Sequence, residues 1–191
     1  MYALRRSAFL AAVACFWSSL LFGSDIFLEP GSEPGWRPAD GAEQDVLEKM
    51  RSVLSEMNDG LYEQAYWNLD PSLKASMNED QFAALNGPSR EELGSMKTLR
   101  VLRVTWIKPR SETGLTGIYA SVDITRTFER AQRDCGYIAL HQAPDDPNWW
   151  VVRLDDHVMP DAIYDDMIRK GKTKEAEALW ARLKQGCPNY R

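Results

Sequence analysis

The sequence predicts an α+β domain: N-terminal helices packed on a curved antiparallel sheet of about four strands, followed by a C-terminal helical hairpin. Three observations carry this. Apolar residues recur at helical spacing between residues 42 and 88, β-branched and aromatic residues alternate with polar ones from 98 to 158, and helical spacing returns after 160.

The first helix is read from Val46, Met50, Val53 and Met57, spaced by four, three and four, with Leu47 and Leu54 beside them. Asp40 followed by Glu43 suggests a capping start, and the Asn58-Asp59-Gly60 run supplies the stop. A second short helix, LYEQAYWNL, closes at Asp70-Pro71. A third is capped by Asn78 with Gln81 at the return position and is expected to end at Gly87-Pro88. Four strands follow: TLRVLRVTWIK (98–108), GIYASVDITRTF (117–128), CGYIALHQ (135–142) and NWWVVRLDDHV (148–158), joined by hairpin-length connectors. In the second strand Ile118, Ala120, Val122 and Ile124 alternate with Tyr119, Ser121, Asp123 and Thr125, so one face is buried and Asp123 is expected in solvent. The first strand changes parity near Val101-Leu102, which predicts a bulge that bends the sheet. DAIYDDMIRK and TKEAEALWARLKQ form the closing helices around Gly171.

Ahead of this domain, Arg5 and Arg6 precede a run from Ser7 to Gly23 without a charge. That is the pattern of an export signal or a retained membrane anchor, and both remain open. Leu21-Phe22-Gly23 makes a poor cleavage site, which favours the anchor. The AVAC at Cys15 is not followed by the end of the apolar run, as a lipidated cysteine would require. Residues 25–41 hold Pro30, Pro34 and Pro38 and are read as a linker without helix or sheet. The divisions are therefore 1–24 signal or anchor, 25–41 linker, 42–160 domain and 161–191 helical extension, with the domain on the periplasmic or extracytoplasmic side. Residues 1–24 hold two of the 23 basic residues and none of the 28 acidic ones, so the remainder carries 21 against 28, a net charge of −7. Such a balance excludes nucleic acid as a partner, because phosphate backbones require a basic footprint.

The opening helix that ends NDGLYEQAYWNLDP, the REELG turn into the first strand, GIYASVDITRTF and the closing WWVVRLDD resemble the nuclear transport factor 2-like superfamily, also called SnoaL-like or ketosteroid-isomerase-like, in a bacterial exported branch of unknown function. The resemblance covers about residues 42–160 and implies a cone-like sheet around a pocket. It is nearly silent on activity, since that fold hosts isomerases, cyclases, dehydratases, binding modules and membrane-anchored assembly domains.

An isomerase of this type needs a carboxylate base and a tyrosine in an apolar pocket; Asp123, Tyr119 and Tyr137 are the residues of the right kind, but Asp123 falls on the wet face. Arg126 lies in register with Val122, Ile124 and Phe128. It reads either as an edge arginine beside Glu129 or Asp134, or as an anion-binding group at the mouth of the pocket. Trp67, Trp106 and Tyr137 complete the weak ligand-binding set, although core filling is the default for tryptophan in amphipathic elements. Adjacent Trp149 and Trp150 should face opposite sides of a strand, one of them covered by the C-terminal helices. His141 and His157, even with Asp155 and Asp156, match no metal-ligand spacing, and there is no cofactor motif, so neither a metal nor a cofactor is expected. Outside the export segment two cysteines remain, Cys135 and Cys187, and an even pair in an oxidising compartment points to a disulfide, with a free buried Cys135 as the alternative. A nucleophilic Cys135 would find His141 roughly 20 Å along the same strand. The expected role is non-enzymatic: binding a small apolar ligand, or assembling with an envelope protein, with residues 7–23 in the membrane if uncleaved. The alternative is a SnoaL-like isomerase or hydrolase acting on a small apolar substrate.

Overall fold

The computed structural model describes residues 26–187, 189 and 190; the expected signal or anchor lies outside them. No helix among the described residues is long and apolar enough to cross a membrane. The order is β1 (Phe27–Leu28), α1 (Ala42–Asn58), α2 (Tyr62–Trp67), α3 (Pro71–Ser76), α4 (Glu79–Leu93), β2 (Met96–Ile107), β3 (Ile118–Phe128), β4 (Arg133–Gln142), β5 (Trp150–Met159), α5 (Asp161–Arg169) and α6 (Thr173–Leu183). The fold is α+β, with four helices ahead of the main sheet rather than three, and with five strands in the order β1-β2-β3-β4-β5. The sheet is mixed, because β1 runs parallel to β2, Phe27 beside Thr105 and Leu28 beside Trp106. The linker was expected to lack strand; these two residues precede Pro30, so nothing bars them from pairing.

α4 passes through Gly87-Pro88, where it was expected to stop, and ends at Gly94, whose φ of 77° suits a residue without Cβ. A proline interrupts the helical hydrogen-bond ladder. Here buried Phe82 before it and buried Leu93 after it anchor both halves, so packing overrides the break. The capping box at the start is present: Gln81 N donates to Asn78 Oδ1 at 2.9 Å, and Asn78 N to Gln81 Oε1 at 2.8 Å. α1, by contrast, starts at Gly41 without a side-chain cap.

β2, β3, β4 and β5 form an antiparallel ladder, and a register shift between Val101 and Arg103 marks the bulge. It returns Leu99 and Val101 to the face that carries Val104 and Trp106. On that face Val122, Ile124, Ile138, Leu140 and Val151 meet Val46, Met50 and Val53 of α1, each side chain worth about 1.5–3 kcal/mol on burial. Trp149 lies just before β5 and packs edge-on against Trp106 in this core. Trp150, half-buried, has Lys49 and Lys74 over its ring rather than the C-terminal helices. Those helices cover the opposite face, where Ala176 and Trp180 of α6 pack on Cys135 and Met159. Cys135 and Cys187 are joined there by a disulfide. Asp123, expected in solvent, is buried on this face because Asn189 donates to its Oδ2.

A polar tie links the helices to the far end of the sheet. Asp70 caps α3, accepting from Ser72 N at 2.9 Å, and its Oδ2 lies 3.1 Å from His141 Nδ1 at the end of β4. Burial pushes the Asp70 carboxyl up, but the Ser72 hydrogen bonds and His141 outweigh it and hold the pKa below the ordinary value. A lowered folded-state value means that the contribution is present above the unfolded carboxylate pKa of about 3.9 and is lost as pH falls through the lower folded value. Asp70→Ala should cost roughly 0.5–2 kcal/mol at neutral pH, whereas Asp70→Asn should keep most of the cap and flatten the acid limb of a stability-versus-pH curve measured by urea unfolding. A wild-type acid limb unchanged in Asp70→Asn would show that the charge contributes nothing.

The disulfide closes a loop with a sequence separation of 52, for which chain entropy gives about 4 kcal/mol. Cys187→Ser should therefore lower the urea midpoint and speed amide exchange in α6, with β2 and β3 left protected. Equal stability with and without the bond would refute this.

Candidate functional site

Two clefts lie between the helices and the core face of the sheet. The first, about 190 Å³, is walled by Leu54, Met57 and Tyr62 on one side and by Phe128 and Val158 on the other, with Arg126, Asp134 and Asp156 on its floor. The second, about 280 Å³, lies between α3, α4 and the start of β5 and is apolar apart from Asn86 and Arg153.

The floor of the first cleft follows from strand register. Ile124 of β3 stands opposite Gly136 of β4, and Gly136 opposite Asp156 of β5, so Arg126 and Asp134 come side by side two residues along. Arg126 is only 6% exposed. Its Nε donates to Asp134 Oδ1 at 3.1 Å and its Nη2 to Asp134 Oδ2 at 2.9 Å, a two-pronged pair, while its backbone N–H also donates to Asp134 Oδ1. Asp156 Oδ1 adds a second ion pair to Nη2 at 2.6 Å. Burial works against the charge on Arg126, and the attraction of Asp156 and Asp134 outweighs it and raises the pKa, so the guanidinium stays protonated. Burial pushes the Asp134 carboxyl up, against the pull of Arg126 and with the added repulsion of Asp156. Breaking so dry a pair by removing one partner costs about 3–5 kcal/mol. Arg126 is thus neither snorkelling at an edge nor an unpaired anion receptor: its charge is matched by two carboxylates.

The roof is tied down by Arg90 of α4, which donates from Nε to the backbone carbonyl of Asn58 at the end of α1 and from Nη2 to Ser95 Oγ. Asn58 Oδ1 in turn accepts from Met96 N at 2.6 Å. One residue thereby fixes α1, α4 and the entry to β2 around the cleft.

Of the sequence candidates, Arg126 alone lines this cleft. Trp106 is 1% exposed inside the core. Trp67 is 57% exposed on α2 with Lys74 over its ring, away from both clefts. Tyr137 is on the opposite face, between Asp123 and Asp155 in register and beneath Arg153. His141 and His157 stand at opposite ends of the β4–β5 ladder, His141 beside Trp150 and His157 beside Cys135. His157 also packs on Gly186. Among the described residues no group of three metal-ligating side chains is close enough to hold an ion. Arg90 and Asn58 were not read from the sequence as site residues, and Asp156 was weighed only as a metal ligand beside the histidines. The available signal was Gly136, a glycine inside a strand, which marks close approach of another group.

Residues 49–153, more than half of the chain, match the model of a protein family of unknown function, DUF4019. The chain belongs to the DUF4019 family. No curated protein matches it. The segment matched to DUF4019 includes Arg126 and Asp134 of the cleft floor, and Gly136 next to them in the sheet; Asp156 and Cys187 lie beyond it.

A Cβ on Gly136 would collide with the backbone oxygen of Asp155 and approach Asp156 Oδ1 to 2.9 Å. Gly136→Ala should displace Asp156 from Arg126 and destabilise the fold by about 1–3 kcal/mol, the range for overpacking, measured by chemical denaturation. Unchanged stability together with unchanged chemical shifts at Arg126 would refute the requirement for glycine.

Proposed function

We propose that this DUF4019 protein is a non-enzymatic, extracytoplasmic domain that binds a small amphipathic ligand in the cleft above Arg126. The observation that carries it is a cleft in which the apolar side chains of Leu54, Met57, Leu93 and Phe128 converge with Asn58, Asn86, Ser89 and Arg90 on a floor where buried Arg126 is paired with Asp134 and Asp156. Apolar lining with a few convergent polar groups is the usual composition of a ligand site. Export agrees with the run from Ser7 to Gly23 and with the Cys135–Cys187 bond, which persists in oxidising compartments. Placement in the nuclear transport factor 2-like superfamily agrees with helices preceding a bulged antiparallel sheet and with a cavity on the helix-covered face.

The alternative, an isomerase or hydrolase, requires a free carboxylate base. Both oxygens of Asp134 already accept from Arg126, and Asp156, the second carboxylate of the cleft, is ion-paired to the same guanidinium through Oδ1, so each is tied to a cation, and this favours binding over catalysis.

Cyclohexanol, a compact neutral amphiphile, should give saturable NMR shifts at Met57, Arg90 and Val158. Ser89→Trp, which fills the rim, should weaken that binding at least tenfold. Shifts that do not saturate, or that spread over the surface and ignore the substitution, would sink the reading.

A further inference from the structure

The two clefts share part of their lining: Met57 of α1 and Asn86 of α4 border both. Along β5 the apolar cleft touches Val151 to Leu154 and the polar one touches Asp156 and Val158. The two thus succeed one another on a single strand, over roughly 23 Å at a strand rise of about 3.3 Å per residue. Ligand pockets commonly occupy about 300–1,000 Å³. The clefts, at about 190 and 280 Å³, each fall short of that alone and reach it together.

The two ends differ in chemistry. One is lined by Leu69, Leu73, Met77 and Phe82, with Leu85, 67% exposed, at its rim. The other ends on Arg126. Asp134 and Asp156 engage the Nε and Nη2 of that guanidinium, and among the described residues its Nη1 has no hydrogen-bond partner. Arg126 lines the cleft, and Nη1 is the nitrogen of its guanidinium left to a ligand there. Asp156 is likewise engaged through Oδ1, with its side chain 30% exposed. The floor therefore offers donors from Nη1 and an acceptor from Asp156 Oδ2, and with Arg90 in the same lining the cleft holds two charges of each sign. An anionic head would bring a third negative charge beside two carboxylates, and a cationic head would meet Arg126 and Arg90. A neutral head that both donates and accepts satisfies the floor without unbalancing it.

We propose that the two clefts act as one groove for a neutral, single-chain amphiphile, its hydroxyl or amide head on Arg126 and Asp156 and its alkyl chain passing Met57 into the apolar end. This rests on the binding reading above and names the ligand class for that site.

The test is a series of primary alcohols from butanol to tetradecanol titrated into the full chain by NMR and calorimetry. Affinity should rise by about fourfold per added methylene, the value for burying one CH₂, and then level off once the apolar end is filled. Met57→Trp, which plugs the junction, should abolish the gain in affinity with chain length. Leu73→Trp, at the far end, should move the plateau to shorter chains and serves if the plug fails to fold. Dodecanoate and dodecylammonium should bind at least tenfold more weakly than dodecanol. Butanol binding without a gain in length would overturn the groove and leave the binding reading standing. A gain that survives both substitutions would place the chain elsewhere on the protein and overturn the groove. Dodecanoate or dodecylammonium binding as tightly as dodecanol would overturn the head assignment. Failure of every alcohol, butanol included, would overturn both.

Discussion

An arginine taken out of water must be matched, and the whole lower half of this domain is arranged around that demand. Arg126 occupies a core-facing position on β3, in line with Val122 and Ile124, where a fourth apolar side chain would have closed the sheet against α1. The chain instead brings Asp134 beside it across the β3–β4 hairpin and Asp156 across the β4–β5 ladder. The desolvation of three charges consumes much of the Coulombic attraction among them, so the cluster adds little net stability over an apolar replacement. What it does is prevent close packing. Helices α1 and α4 stand off the sheet at this end, and the space left is the cleft.

The same constraint explains why Gly136 sits where it does. Asp156 reaches Arg126 only by lying over the β4 backbone, and a side chain on residue 136 would occupy that path. Specificity of register follows: a slip of one residue in β4 would turn Asp134 to the opposite face and leave the guanidinium unmatched. A buried ionic group thereby selects one pairing of the strands, as buried polar residues do elsewhere.

Much of the architecture was legible in the sequence because period and turn chemistry agree over long runs. The bulge at Val101 to Arg103, the capping box of Asn78 and Gln81 and the strand faces of β3 all follow from local pattern. Where tertiary packing overrides local preference, pattern misled: Pro88 does not end α4, and Phe27-Leu28 joins the sheet from a proline-rich segment. The site was only partly readable. Arg126 stood out by its parity, and Asp134 was a foreseeable neighbour. Asp156 arrives from a strand two hairpins away, and Arg90 from a helix whose length was misjudged at Pro88. Trp67 and Trp106 attracted attention by residue type alone, which says nothing about which surface a ring meets.

The bond between Cys135 and Cys187 closes a ring that contains β5 and both C-terminal helices. One open point in it is the exposed Lys170-Gly171-Lys172 turn between α5 and α6. A trypsin-like cut there would leave two fragments still bolted together, with α6 held on β4 and Asp156 still delivered to Arg126. A main-chain break at that turn would therefore leave the two pieces joined for as long as the two sulfurs stay oxidised.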